Sequence, residues 1–204
     1  MPPTSTAMID YESFLTGRFD AALQLASALH HSQCRKGTSI PYFSHLMAVS
    51  ALVLEASGDE NMAIAALLHD AVEDQGGEPT ARTIRRLFGD QVADLVAECS
   101  ETIAQPKPPW LERKQGYLAH LKTVSEAALL ISLADKLHNA RSILADYRVH
   151  GDDIWKRFNA SKADELWYFR ELVKAFQERG SNQLVEEFSR TVGELERLAA
   201  EHRT

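Results

Sequence analysis

Four ionisable side chains interrupt an apolar stretch at Leu67-Leu68-His69-Asp70-Ala71-Val72-Glu73-Asp74. Ile64, Ala65, Leu67, Leu68 and Val72 fit the interior, so the pattern predicts one core-facing helix from Asn61 to about Asp74. At about 3.6 residues per turn, offsets of zero, one, four and five fall on one side of such a helix and span roughly 140° of its surface. Burying an imidazole and three carboxylates together is costly without compensation. A divalent cation is the simplest compensation. The blander reading is an exposed polar face that happens to carry His and Asp.

Two further segments bear on that choice. His45 stands at a helix start, in Ile40-Pro41-Tyr42-Phe43-Ser44-His45, ahead of an apolar run. Asp135 emerges from another run, Leu129-Leu130-Ile131-Ser132-Leu133-Ala134, and Asn139 lies one turn on, on the same face. A structural histidine and a salt-bridged aspartate are the ordinary readings of these two residues. Together, however, His45, His69, Asp70 and Asp135 form a two-histidine, two-carboxylate set. Mixed nitrogen and oxygen ligands suit manganese, iron or zinc better than calcium. Glu73 and Asp74 are then free to orient or deprotonate a water at the ion.

In this order along the chain, the segments Gln33-Cys34-Arg35-Lys36-Gly37, Pro41-Tyr42 with His45, Ala65-Ala66-Leu67-Leu68-His69-Asp70 with Val72-Glu73-Asp74, Phe88-Gly89 and Leu133-Ala134-Asp135-Lys136-Leu137-His138-Asn139 resemble the HD superfamily of metal-dependent phosphohydrolases. Within it, the similarity is greatest to the hydrolase domain of RelA/SpoT-type alarmone enzymes and to single-domain small alarmone hydrolases. It covers roughly residues 19–175. The resemblance implies an all-helical fold around one manganese ion (Mn2+) held by His45, His69, Asp70 and Asp135. It implies that Glu73 and Asp74 act on the attacking water, that Arg35 and Lys36 face the nucleotide, and that Asn139 lies near its sugar or phosphates. The implied reaction removes pyrophosphate from the ribose 3′ position of (p)ppGpp, leaving GDP or GTP, with no synthetase activity. The chain departs from the RelA/SpoT pattern at Leu46 (usually proline), at Ala71 (usually threonine) and at Ser100-Glu101-Thr102. Hydrolysis of (p)ppApp, action on another nucleotide, and a catalytically dead nucleotide-binding module remain the alternatives.

Charge supports a small anionic ligand over a polyanion. With 22 Lys and Arg against 29 Asp and Glu, the net charge of −7 argues against the broad basic surface that nucleic-acid binding needs. A 3′-pyrophosphate needs only an ion and a local basic cluster. Arg35 and Lys36 supply one such cluster, and arginine can also stack on a base. Lys107, Arg113 and Lys114 form a second beside the proline loop, readable as phosphate contacts or as a solvated helix start. Trp155, Trp167, Tyr168 and Phe169 read mainly as core, with room for one ring to border a base.

The elements that must position these groups are helical nearly throughout. Stripes predict a helix from Phe14 to Leu29, one capped by Ser44 and ended by Gly58, the Asn61–Asp74 helix closed by Gly76-Gly77, Thr80 to Phe88, and Gln91 to about Glu101. Pro106, Pro108 and Pro109 make a loop, and Pro109 opens a helix through Leu121. Ser125 starts one that runs past Leu144, followed by 161–179 and 181–201. The fold class is therefore all-α, a bundle of about eight to ten helices, read as a hydrolase domain over 1–180 and a C-terminal helix over 181–204 that packs on the body or on a partner chain. No apolar run reaches the eighteen or more residues of a membrane span. The N-terminal residues lack an export signal, and the two cysteines, Cys34 and Cys99, fit a reducing cytoplasm.

Overall fold

The computed structural model describes residues 14–101 and 106–201. Thr102 and the two ends of the chain fall outside them. The helices, in order, are α1 (Gly17–Leu29), α2 (Phe43–Glu55), α3 (Glu60–Leu68), α4 (Ala71–Asp74), α5 (Glu78–Phe88), α6 (Asp90–Cys99), α7 (Trp110–His120), α8 (Glu126–His150), α9 (Lys162–Arg179) and α10 (Gln183–Glu201). A 3-10 turn, Gly151–Arg157, joins α8 to α9. Among the described residues the only extended pairing is an isolated antiparallel bridge between Cys34 and Pro41. The all-α expectation holds.

α8 is the central pillar. Ser125 caps it by accepting from Ala128 N–H, and its 25 residues span about 37 Å. Ala128, Ile131, Leu133, Ala134, Leu137 and Ala140 are all buried, so it is apolar on several faces, as a helix surrounded by others must be. α2, α3, α6 and α10 pack against it. α10 buries Val185, Phe188, Val192 and Leu195 against α8 and α9, which gives its seven-residue pattern a partner within the chain.

Four local expectations need correction. The helix predicted from Asn61 to Asp74 is interrupted at His69 and Asp70. The cause lies in His69, whose Nδ1 takes the Ala66 carbonyl at 2.8 Å. In an unbroken helix that carbonyl serves the N–H of Asp70, and a side chain inserted there bends the ladder. α2 starts two residues earlier than a Ser44 cap allows: Tyr42 is the cap, and the Ser44 hydroxyl donates to Pro41 O at 2.8 Å. Phe14 lies before α1, almost fully exposed, because Thr16 caps the helix at Gly17. Pro109 is the residue before α7, not its first helical position.

The segment between α1 and α2 carries Arg35 and Lys36. Arg35 N–H donates to Ile40 O and Tyr42 N–H to Gln33 O, each at 2.8 Å. Gly37, with φ of +71°, turns this loop, and a Cβ there would come within 2.7 Å of the Arg157 side chain. Glycine is needed for both the backbone angle and the approach of Arg157.

Candidate active site

Two helices and one elbow bring the four sequence-predicted ligands together. His45 lies in the first turn of α2, Asp135 in the middle of α8, and His69 and Asp70 at the elbow between α3 and α4. His45, His69 and Asp135 are buried. His45 Nε2 lies 3.1 Å from Asp135 Oδ1; His69 Nε2 lies 3.0 Å from Asp70 Oδ2 and 3.7 Å from Asp135 Oδ1. The donor atoms of His45, His69 and Asp70 all lie within 4.8 Å of one another.

This donor set fits a divalent ion. Neither His45 Nε2 nor His69 Nε2 has a hydrogen-bond partner of adequate geometry, though both are buried. Buried orphaned nitrogens are rare without a ligand. Ligand bonds of about 2.1 Å at right angles put neighbouring donor atoms about 3.0 Å apart, close to the separations here. The electrostatics ask for the same thing. Burial resists a charge on Asp135, but Lys136 and the two imidazoles outweigh it and hold the carboxyl well below its usual range. Burial likewise resists a charge on His69, and Asp70 with Asp135 outweighs it, raising the imidazole well above its usual value. The two carboxylates thus favour positive charge beside the His69 ring, as a bound cation would supply.

The two other acidic residues are held apart from this cluster. Glu73 accepts from Lys107 Nζ at 2.8 Å and from the Glu101 N–H at 3.2 Å. Asp74 accepts from Gln33 Nε2 at 2.9 Å. Burial, then Asp70, pushes the Asp74 carboxyl up. Gln33 is itself fixed, since its Oε1 meets Gln75 Nε2 and His30 Nδ1, each at 2.6 Å.

A cleft of about 610 Å³, within the usual range for a small-molecule site, reaches the cluster through Tyr42, Lys136, His138 and Asn139, while the four cluster residues, Glu73 and Asp74 are not in its lining. Arg35, Lys36, Asn139, Arg113 and Lys114 line it. Asn139 bridges cleft and cluster: its Nδ2 donates to Asp135 Oδ1 at 2.6 Å, and its Oδ1 accepts from Arg35 at 2.9 Å. Arg35 also lies 5.9 Å over the Tyr42 ring. Lys36 reaches Asn159 at 3.3 Å and the Phe158 ring at 5.8 Å. Lys107 is absent from the cleft lining and is spent on Glu73 instead. Arg113 and Lys114 both pair with Glu101, Lys114 at 2.9 Å.

Several residues at the site escaped the sequence reading of roles. Tyr42 donates its hydroxyl to Asp70. Lys136 pairs with Asp135 Oδ2 at 2.7 Å, and His138 lies 2.7 Å from His45, nitrogen to nitrogen. All three sit inside quoted motifs, so adjacency to a ligand was the available signal. Burial, then His45 and Arg35, lowers His138 to about 4. Arg157 and Phe158 reach the cleft from the 3-10 turn and its end, and no local pattern marks them. Tyr168 and Phe169 line the cleft while being largely buried, so they serve as both core and wall. Trp155 belongs to a separate cluster with Tyr147 and Leu195.

Comparison with known proteins agrees with this geometry. The HD domain family matches residues 22–164. The guanosine-3′,5′-bis(diphosphate) 3′-pyrophosphohydrolase MESH1 of Xenopus tropicalis is 36% identical over 132 residues, spanning 61% of this chain and 71% of that protein. The human MESH1 is 35% identical over 125 residues, spanning 60% and 67%. Among solved structures, a metazoan ortholog of SpoT described as hydrolysing ppGpp superposes with a TM-score of 0.69 at 28% identity, over 92% of this chain and 97% of that one. The protein lmo0812 from Listeria monocytogenes EGD-e gives 0.64 at 30% identity, over 72% and 96%. With a two-histidine, two-carboxylate cluster held by α2, α8 and the α3–α4 elbow and a family match over most of its length, the chain belongs to the HD-domain family.

Proposed function

We infer that this protein is a metal-dependent (p)ppGpp 3′-pyrophosphohydrolase, releasing GDP or GTP and pyrophosphate. The observation that carries this reading is the juxtaposition of a buried cation-demanding cluster and a cation-lined cleft, joined through Asn139. The relatives named for this reaction lend it further support.

In this reading His45, His69, Asp70 and Asp135 hold one divalent ion, Mn2+ as the family resemblance implies, from a mixed donor set that suits manganese, iron or zinc. When bound, the ion supplies Lewis-acid activation of water and offsets phosphate charge. The chain's own groups do the rest. Tyr42 and Lys136 orient Asp70 and Asp135 through a hydroxyl and an ammonium contact. Asp74 takes the proton of the attacking water, because burial and Asp70 make it a stronger base than a free carboxylate. Glu73, braced by Lys107 and the Glu101 backbone, orients that water. Arg35, Lys36, Arg113 and Lys114 offset the pyrophosphate charge, and Asn139 contacts the sugar or a phosphate.

Residues up to about 180 form the hydrolase unit in this proposal, with α10 (Gln183–Glu201) as its closing helix. We place the protein in the cytoplasm, where its two cysteines stay reduced; no helix among the described residues is long and apolar enough to cross a membrane. The test is turnover of Mn2+-loaded protein on ppGpp and ppApp side by side, with products identified. Pyrophosphate from ppGpp supports the reading. Preferential cleavage of ppApp moves the substrate to adenine alarmones, and tight binding of ppGpp without turnover overturns the enzymatic assignment.

A further inference from the structure

The two imidazoles of the cluster present Nε2 to the cation position, but their opposite nitrogens are held by different chemistry. His69 Nδ1 lies 2.8 Å from Ala66 O. A carbonyl only accepts, so His69 carries its hydrogen on Nδ1 and keeps a lone pair on Nε2. His45 Nδ1 lies instead 2.7 Å from His138 Nδ1. Two ring nitrogens at that distance share one hydrogen, and either ring can donate it. The direction decides whether His45 is a ligand at all: if Nδ1 accepts, the neutral ring carries its hydrogen on Nε2 and has no lone pair there for a metal.

Other contacts point one way. His45 Nε2 is buried, 3.1 Å from Asp135 Oδ1, and lacks hydrogen-bond geometry toward it. That is the arrangement of a lone pair beside a carboxylate sharing a cation, not of an N–H donating to one. We propose that His138 is a positioning residue that accepts the His45 Nδ1–H, locking His45 in the tautomer whose Nε2 lone pair faces the divalent ion. The proposal rests on reading the four-residue cluster as the cation site. His138 lines the cleft, and its ring centroid lies 4.8 Å from that of His45, so the cleft wall and the metal ligand are one hydrogen-bonded unit. Partners of this kind commonly contribute about 10–100-fold in metal affinity.

The two variants that separate acceptor from bulk are His138→Asn and His138→Leu. They are nearly equal in size and both lack the ring, but only asparagine offers an oxygen near the Nδ1 position. Chelator-stripped wild type and both variants are titrated with MnCl2 by calorimetry, with melting in chelator as the check on folding. The leucine variant is expected to bind Mn2+ about 10–100-fold more weakly, and asparagine to recover most of that loss. Equal weakening in both variants, or none in either, overturns the proposal, because the acceptor then does not matter. If His138→Leu fails to fold, His138→Phe takes its place with the same expectation. A wild type that binds no Mn2+ removes the cation site itself, an outcome distinct from loss of the tautomer argument alone.

Discussion

Replacing Lys136 by methionine removes the cation that pairs with Asp135 at the cleft wall. The ammonium lies 2.7 Å from Asp135 Oδ2 and 4.8 Å from the Tyr117 ring centroid. At that separation and an effective dielectric of about 20, the attraction is about 6 kcal/mol. Burial resists the charge on Lys136, and Asp135 overcomes it, raising the lysine well above its usual value. Desolvation of both groups consumes much of the attraction, but removing Lys136 leaves the buried Asp135 carboxylate without its ammonium partner, with only Asn139 and the two imidazoles beside it, at a cost of up to about 3–5 kcal/mol. The assay is urea unfolding followed by far-ultraviolet circular dichroism, run with EDTA and again with excess Mn2+. In EDTA, Lys136→Met is expected to lose up to about 3–5 kcal/mol. With Mn2+ the loss shrinks, because the ion compensates the same carboxylate from the other side. A loss in EDTA below about 1 kcal/mol, the size of a surface pair, refutes the argument that Lys136 is the internal counter-ion. A loss unchanged by Mn2+ refutes the claim that lysine and ion act on one charge.

The remaining expectations are shorter. Glu73→Gln should keep Mn2+ affinity in calorimetry and lose about 10²–10⁴-fold in kcat; parallel loss of metal would transfer Glu73 to the ligand set. Arg113→Ala, which changes the cleft wall, should raise KM for ppGpp, whereas Lys107→Ala, whose contact is Glu73, should act mainly on kcat. Unchanged KM in both removes the phosphate-contact role of the basic cluster. Cys34 is exposed, while burial pushes the Cys99 thiol up to about 12, so a thiol reagent should titrate one cysteine in the folded protein and two in denaturant. Rapid reaction of both in the folded protein contradicts that burial.

The helices and the four cluster residues were legible in the sequence because their signals are local. Apolar spacing, an N-cap serine at Ser125 and glycines at chain reversals act within a few residues of the elements they specify. The His-Asp pair and the apolar run into Asp135 carried chemistry in their residue types alone. The break at His69–Asp70 was not legible, since spacing cannot tell whether a side chain will take a carbonyl from its own helix. Nor was the fate of Lys107: its charge was visible, but its partner, Glu73, was fixed only by how the proline loop lies against α4.

Periodicity and caps thus determined an all-helical chain, and residue types offered a set of candidate metal ligands. The tertiary structure alone decided which atoms meet. His45 and His138 are 93 positions apart, and Arg35 and Asn139 are 104 apart. Contacts of that range depend on helix packing about α8 and on the turn that carries Arg157 to Gly37. A few tenths of an ångström there decide whether two nitrogens share a proton, and no pattern within a single segment encodes that distance.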